Sequence, residues 1–575
     1  MEKIDTTLDI EDNTKLVDLS GLSKLARIGD QNSYYSYSYS YSYSYSYEHE
    51  YEYEYAYFSP DGGTAHLLVN NNPELADISG LGSLEAVGGP ITISNNGKLK
   101  EISGLGSLEI VERAHMTFTN NGLEDLKFPA LNEVQGTLFI QNNPGLLEIS
   151  FENLEFLGSN DPTTYEYSTY KKSIEISNNG ALETITSFNK LDPDHGTDGS
   201  IEITDNAALL EITGFNSLRD LGTDGTDVLI QNNAKLNKIT GFSNLMYTAK
   251  LEIEGCGELV DISGFMNMVY TPQIIIEETG LTSVGPFPNL NAATDFLIGW
   301  NDHLTEISGF GNFMYGDVRI SYNPLLETID AFEINQLVDG YDEIYSLSFE
   351  IKNNAELKKL DGFNYYAYDM SVTNLEIAEN PLLTDMGDCF SELLAAEEYL
   401  RLTNLGLETI ILPKLKSAFL FLIHSNAALK QLSFPELESV GARLSIDDNQ
   451  AIETISADAF PKLKTIATQY HTINDKFYLH NCMNLVSATF PALEVVGSDF
   501  TIEYNFKLET LSFPELTTVS GEFYFSRFMN NEAMTDAAVL AAFPKLTSLP
   551  CCSEGIHDIL RPLCEDFFPS CSSGH

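Results

Sequence analysis

The sequence predicts an all-β chain: a parallel β-solenoid of about twenty turns, held by a ladder of asparagines. Three observations lead there. A phrase of apolar, any, apolar, any, any, Asn, with an apolar residue two or three places on, returns along the whole chain. Leu8-Asp9-Ile10 with Asn13 and Leu16, Ile91-Thr92-Ile93 with Asn96 and Leu99, and Phe500-Thr501-Ile502 with Asn505 and Leu508 are copies. Most copies stand 21 to 27 residues apart, a period at which each unit buries its apolar face only against its neighbours. Helical periodicity between the phrases is weak, so little helix is expected inside the turns.

The first element of each turn is a strand. Its apolar-x-apolar core has period two, which sends the middle residue to solvent and requires pairing with the strands above and below. The second element is the Asn that ends the strand. Its amide supplies two donors and an acceptor where the chain turns away, and stacked amides form a ladder whose loss strands buried polar groups at roughly 1–3 kcal/mol each. The ladder positions are Asn13, Asn72, Asn96, Asn121, Asn143, Asn179, Asn206, Asn233, Cys256, Thr279, Asn301, Asn323, Asn354, Asn380, Leu405, Asn426, Asn449, Cys482, Asn505 and a last one at about residue 531. Cys256 and Cys482 read as small buried substitutes for Asn, not as ligands or disulfide partners. The third element is a turn word: Ser-Gly-Leu or Thr-Gly-Phe early, as in Ile78-Ser79-Gly80-Leu81 and Ile239-Thr240-Gly241-Phe242, and Phe-Pro-x-Leu late, as in Phe434-Pro435-Glu436-Leu437. Gly through a positive φ and Pro through its fixed φ are expected to bend the chain at the same place. A Val-Gly step often follows, as at Val87-Gly88 and Val440-Gly441.

These words resemble the receptor L-domain branch of the leucine-rich repeats, found in the ligand-binding domains of insulin and epidermal growth factor receptors and in fungal sporulation-specific cell-wall proteins. The resemblance spans nearly the whole chain. It implies a right-handed solenoid with flat sheets, a binding role without catalytic residues, and no particular ligand.

Residues 1–32 read as the first repeat turn or turns, 33–58 as a low-complexity loop, 59–548 as solenoid repeats in one elongated body, and 549–575 as a Cys-containing cap. The loop, Ser33 to Phe58, alternates Tyr with Ser and then with Glu. It is either a self-associating Tyr strip or an insertion tolerated outside the core. Cys551, Cys552, Cys564 and Cys571 crowd the end and read as two disulfides sealing the final turn, which favours an extracellular or cell-surface setting. Against that, the chain shows neither a signal-peptide core nor an Asn-x-Ser/Thr sequon, which keeps a cytoplasmic setting open. A net charge of −53 excludes nucleic acid as a partner, and no apolar run is long enough for membrane insertion.

A scan for chemistry finds no phosphate loop, His-Glu-x-x-His or Gly-x-Ser-x-Gly, so no enzyme is expected. His424, Asp447 and His480 share one outward position and read as a solvated column. The outward strand residues Glu175, Glu202, Leu229, Glu252, Ile275, Leu297, Arg319, Glu350, Glu376 and Arg401 should align in a second column. Within it Leu229, Ile275 and Leu297, with the sole tryptophan Trp300 nearby, form a candidate partner-binding patch. Two matching inserts, Gly196-Thr197-Asp198-Gly199 and Gly222-Thr223-Asp224-Gly225, lie one repeat apart among Asp192, Asp194, Asp220 and Asp227. These six carboxylates are candidate ligands for structural calcium, the only cofactor expected; solvated Asp-Gly turns are the alternative. The chain thus reads as a binding or adhesion module for a protein or glycan, with a self-assembling structural protein as the rival.

Overall fold

The computed structural model describes residues 2–29, 37–39, 55–57, 65–112, 114–158, 172–193, 199–222, 225–290, 295–310, 316–331, 347–363, 370–467, 476–525, 531, 533–547, 549, 551–552 and 560, of which 37–39, 55–57, 536 and 551–552 as backbone only. The chain divides into two compact units, Met1–Leu281 and Thr282–His575.

The first unit is built on a parallel sheet that runs from Leu8–Glu11 to Gln273–Glu277, each strand in register with the next. Ile91, for example, lies beside Leu67 on one side and Met116 on the other. The Val-Gly steps make a second side, a sheet of two-residue strands such as Ala86–Val87 and Ile110–Val111. The turn words make a third. Ser20–Leu22, Ser79–Leu81, Ser103–Leu105 and Ser263–Phe265 are single 3-10 turns, as expected of a solenoid without helical backing. Between the sides, Phe128, Phe151, Phe188, Phe215, Phe242 and Phe265 stack face to face at 4.7 to 5.3 Å.

The second unit repeats the plan from Asp295–Gly299 to Glu522–Phe525. Phe434, Phe460, Phe490, Phe513 and Phe543 stack at 5.2 to 5.4 Å, so Phe-Pro and Gly-Phe words do deliver an aromatic to equivalent places. Four strands here are long, Met370–Asn380, Leu393–Leu405, Ser417–His424 and Ser439–Asp447, the last taking in Val440-Gly441, and their pairing runs through register shifts. The α-helix Asp536–Ala542 was not expected. Thr535 starts it by accepting a hydrogen bond from Ala538 N at 3.2 Å, and it lies against the Thr510–Ser512 strand.

The asparagine ladder holds both units. In a typical Asn rung Oδ1 accepts the backbone N–H of the preceding rung, while Nδ2 donates to a strand carbonyl of the preceding turn. Asn96 Oδ1 accepts from Asn72 N at 3.0 Å and Asn96 Nδ2 donates to Val69 O at 2.9 Å. The pattern continues through Asn121, Asn143, Asn179, Asn206 and Asn233 in the first unit. In the second it links Asn301, Asn323, Asn354 and Asn380, then Leu405, Asn426 and Asn449, then Cys482, Asn505 and Asn531. Cys256 and Cys482 are fully buried rungs whose thiols point at Ile230 O and Ile446 O. Burial pushes these thiols up to about 11 and about 12. Thr279 and Leu405 are buried rungs too, and Leu405 keeps only the backbone half of the pattern.

Two local explanations change. Gly80, Gly104 and Gly264 do not take a positive φ; they are needed because a Cβ would meet a carbonyl oxygen of the neighbouring turn at 1.7 to 1.8 Å. The left-handed residues are others. The residue just before each rung, from Asp12 to Tyr504, has φ between 48° and 64°, which swings the chain off the strand so that the rung side chain points inward. In the first unit Asn and Asp dominate this row (Asn71, Asn95, Asn120, Asn142, Asn178, Asp205, Asn232), the residue types that tolerate that conformation best.

Candidate functional site

The outward faces of the two main sheets carry the side chains free to meet a partner. In the first unit Glu175, Glu202, Leu229, Glu252 and Ile275 are direct neighbours in register. The acids are tied down: Lys172 reaches Glu175 at 2.9 Å and Glu202 at 2.6 Å, and Lys250 pairs with Glu252. Leu229 and Ile275 are half-buried and separated by Glu252, so they are two spots rather than one apolar surface. Burial pushes the Asp227, Glu254 and Glu277 carboxyls up on this side.

In the second unit Leu297, Arg319, Glu350, Glu376 and Arg401 are neighbours in register. Arg319 pairs with Asp317 at 2.8 Å, Lys352 with Glu350, and Arg401 with Glu376 at 3.0 Å. Asp317, Arg319, Ser348, Glu350, Asn374 and Tyr399 line a polar recess of about 60 Å³, far below the several hundred Å³ of a small-molecule site.

Trp300 stands apart from the column. It occupies the left-handed row, with φ 57°, and the next residue of that row is Tyr322, φ 59°. The rings lie 4.1 Å apart at 7° and are 53% and 38% exposed. Elsewhere the row is joined by polar contacts, Asn71 to Asp12 at 2.6 Å and Asn404 to Glu379 at 2.6 Å. A bulky residue in this conformation costs roughly 1–2 kcal/mol, and an aromatic pair returns about 0.5–1.5 kcal/mol. An exposed aromatic pair held at no net gain in stability is the feature of this unit most suggestive of a partner. Sequence reasoning reached Trp300 but missed Tyr322. The signal was the recurrent doublet Asn71-Asn72, Asn95-Asn96, Asn120-Asn121, which marks the place before each rung.

Of the calcium candidates, Asp194, Asp198 and Asp224 lie outside the described residues. Asp220 accepts the N–H of Gly222 at 2.7 Å, closing its own turn, and Asp227 is buried within its strand. Among the described residues no three His, Cys, Asp or Glu gather as a metal site. His424 bonds Ser445 Oγ at 2.9 Å, while His480 bonds Asp447 at 2.7 Å, so the outward histidines do not converge. Cys551–Cys552 form a strand paired with Glu522 and Phe523; their side chains, with Cys564 and Cys571, lie outside the described residues. Among the described residues no helix is long and apolar enough to cross a membrane.

No family model matches the chain, and no curated protein matches it. Among solved structures it is similar to a leucine-rich repeat protein from Bacteroides ovatus, at 12% identity and a TM-score of 0.28, over 60% of this chain and 82% of that one. The solenoid rests on the ladder and strand register above, to which so low a score adds nothing.

Proposed function

We propose that the chain is a non-enzymatic binding or adhesion module that presents its outward solenoid surface to a protein or glycan at a cell surface or in extracellular matrix. The observation that supports this reading is the Trp300–Tyr322 pair, exposed and held in a backbone conformation that Asn or Gly would adopt more cheaply. A flat, pre-stacked aromatic surface has little side-chain entropy to lose on binding. The test is a defined glycan array together with a panel of purified matrix proteins, probed with the wild-type chain and with W300N/Y322N. The double variant keeps side chains suited to the turn and removes the rings. A wild-type signal that disappears in the variant supports the reading; no wild-type signal, or an equal one, counts against it.

Self-assembly is the second reading, and one observation favours it. Tyr37–Tyr39 and Tyr55–Tyr57 pair as antiparallel strands in a sheet of their own, an edge to which a second copy could add. Light scattering decides it: mass that grows with concentration supports assembly, and a constant monomer mass opposes it.

A further inference from the structure

A second cluster on the outward face of the second unit has a different character. Arg443 and Lys476 are register partners on the adjacent strands Ser439–Asp447 and Lys476–His480, which places their backbones about 4.8 Å apart. Both side chains are partly buried and lie over one ring: Lys476 Nζ is 4.1 Å and Arg443 Cζ 5.2 Å from the centre of Tyr478. Arg443 Nη2 donates to Ser445 Oγ at 3.3 Å, and its Nε is buried without a partner. The cations Arg319, Lys352 and Arg401 on this face each sit on a carboxylate. Among the described residues, neither Arg443 nor Lys476 forms an ion pair. The nearest acids in register are engaged elsewhere. Asp499, beside Lys476, accepts the N–H of Glu522 at 2.7 Å, and Asp447 holds His480.

Two like charges side by side and partly withdrawn from water repel each other unless an anion joins them. The ammonium of Lys476 shows the strain: burial first, then Arg443, holds it below the usual lysine range. Asp499, Glu503 and Asp447 offset this in part from a distance, but among the described residues no carboxylate closes onto either cation.

We propose that Arg443 and Lys476 bind one small oxyanion group, a sulfate or phosphate. The guanidinium supplies N–H donors and Lys476 a point charge, while the buried Ser445 hydroxyl, held by Arg443 and His424, fixes the guanidinium in place. Asp447, Asp499, Glu503 and Glu522 stand on the flanking register positions, which repel an extended polyanion and limit the ligand to a single small group on the two cations. The group can be free in solution or esterified to a sugar, and the experiment separates the two.

The full chain is titrated calorimetrically with sodium sulfate, inorganic phosphate, galactose 6-sulfate and galactose, with sodium chloride at matched ionic strength as the baseline. Saturable binding of the anions but not of galactose is expected. Equal affinity for sulfate and galactose 6-sulfate identifies a site that reads the free anion, and tighter binding of the sugar sulfate identifies the ester; either supports the proposal. Arg443→Gln and Lys476→Gln should each weaken binding roughly tenfold. Lys476→Arg, which keeps the charge, should retain it, and Lys414→Gln, at a lysine paired with Glu392 elsewhere, should leave it unchanged. No saturable binding above the chloride baseline overturns the proposal, as does binding unaffected by either Gln variant.

Discussion

Asn206→Leu tests the ladder where its geometry is most complete. Asn206 is fully buried in the first unit. Its Oδ1 accepts the N–H of Asn179 at 3.0 Å, and its Nδ2 donates to Ile176 O at 2.9 Å and Thr204 O at 3.0 Å. Its own N–H, which leucine retains, donates to Asn233 Oδ1 at 3.0 Å. Leucine fills similar space with no polar atom, so Asn179 N–H and Ile176 O lose these partners; Thr204 O still receives Asn178 N–H at 3.1 Å. Two stranded buried groups at about 1–3 kcal/mol each cost about 2–6 kcal/mol. At roughly 2 °C per kcal/mol for a unit of this size, Tm falls by roughly 4–12 °C. Asn237→Leu is the control: that side chain is exposed, bonded only to Glu258 O at 3.1 Å, and its loss stays within about 0.5 kcal/mol. Asn206→Cys, the substitute found at positions 256 and 482, should fall between. Differential scanning calorimetry of the full chain reads all three. Equal melting of the two leucine variants would refute the ladder as a source of stability.

Other perturbations follow from single features. Gly104→Ala drives a Cβ to 1.8 Å from Ile78 O and should destabilise by several kcal/mol, while Gly97→Ala, which meets nothing within 4 Å, should melt like wild type. W300N/Y322N exchanges stacking for relief of the left-handed backbone, so its unfolding free energy in urea should stay within about 1 kcal/mol of wild type; a larger loss would make the pair structural. Deleting Ser33 to Phe58 should leave Tm nearly unchanged, because the described strands of that tract pair only with each other; loss of soluble protein would show that it packs on the solenoid. Cys256 and Cys482 stay neutral in the fold to about 11 and about 12, against an ordinary thiol value of 9.0. Their folded values are raised, so the stability they contribute is present below about pH 9 and is lost as pH rises through 9 to 12. Tm measured across that range should fall less in Cys256→Asn, which also restores a rung.

The ladder was legible because it is written in one residue type at one period, and even its Cys substitutes could be placed by spacing. The outward column was legible because strand alternation and register follow from that period. The turn glycines were legible as turns but for the wrong reason. A requirement for close approach between turns and a requirement for positive φ select the same residue, and only the backbone of the neighbouring turn tells them apart. Tyr322 was missed because the left-handed row is defined by φ. Arg443 and Lys476 were missed because a longer interval, Asn449 to Cys482, and register shifts such as that between Ala418 and Leu420 hide which residues become neighbours.

The most direct test of the binding reading uses the sole tryptophan as its probe. Trp300 is 53% exposed in the free chain, so acrylamide should quench its fluorescence readily. With the protein or glycan selected by the arrays at saturation, the binding account predicts a clear fall in the quenching constant as the ring becomes covered. An unchanged constant at full occupancy would place the partner elsewhere and contradict it.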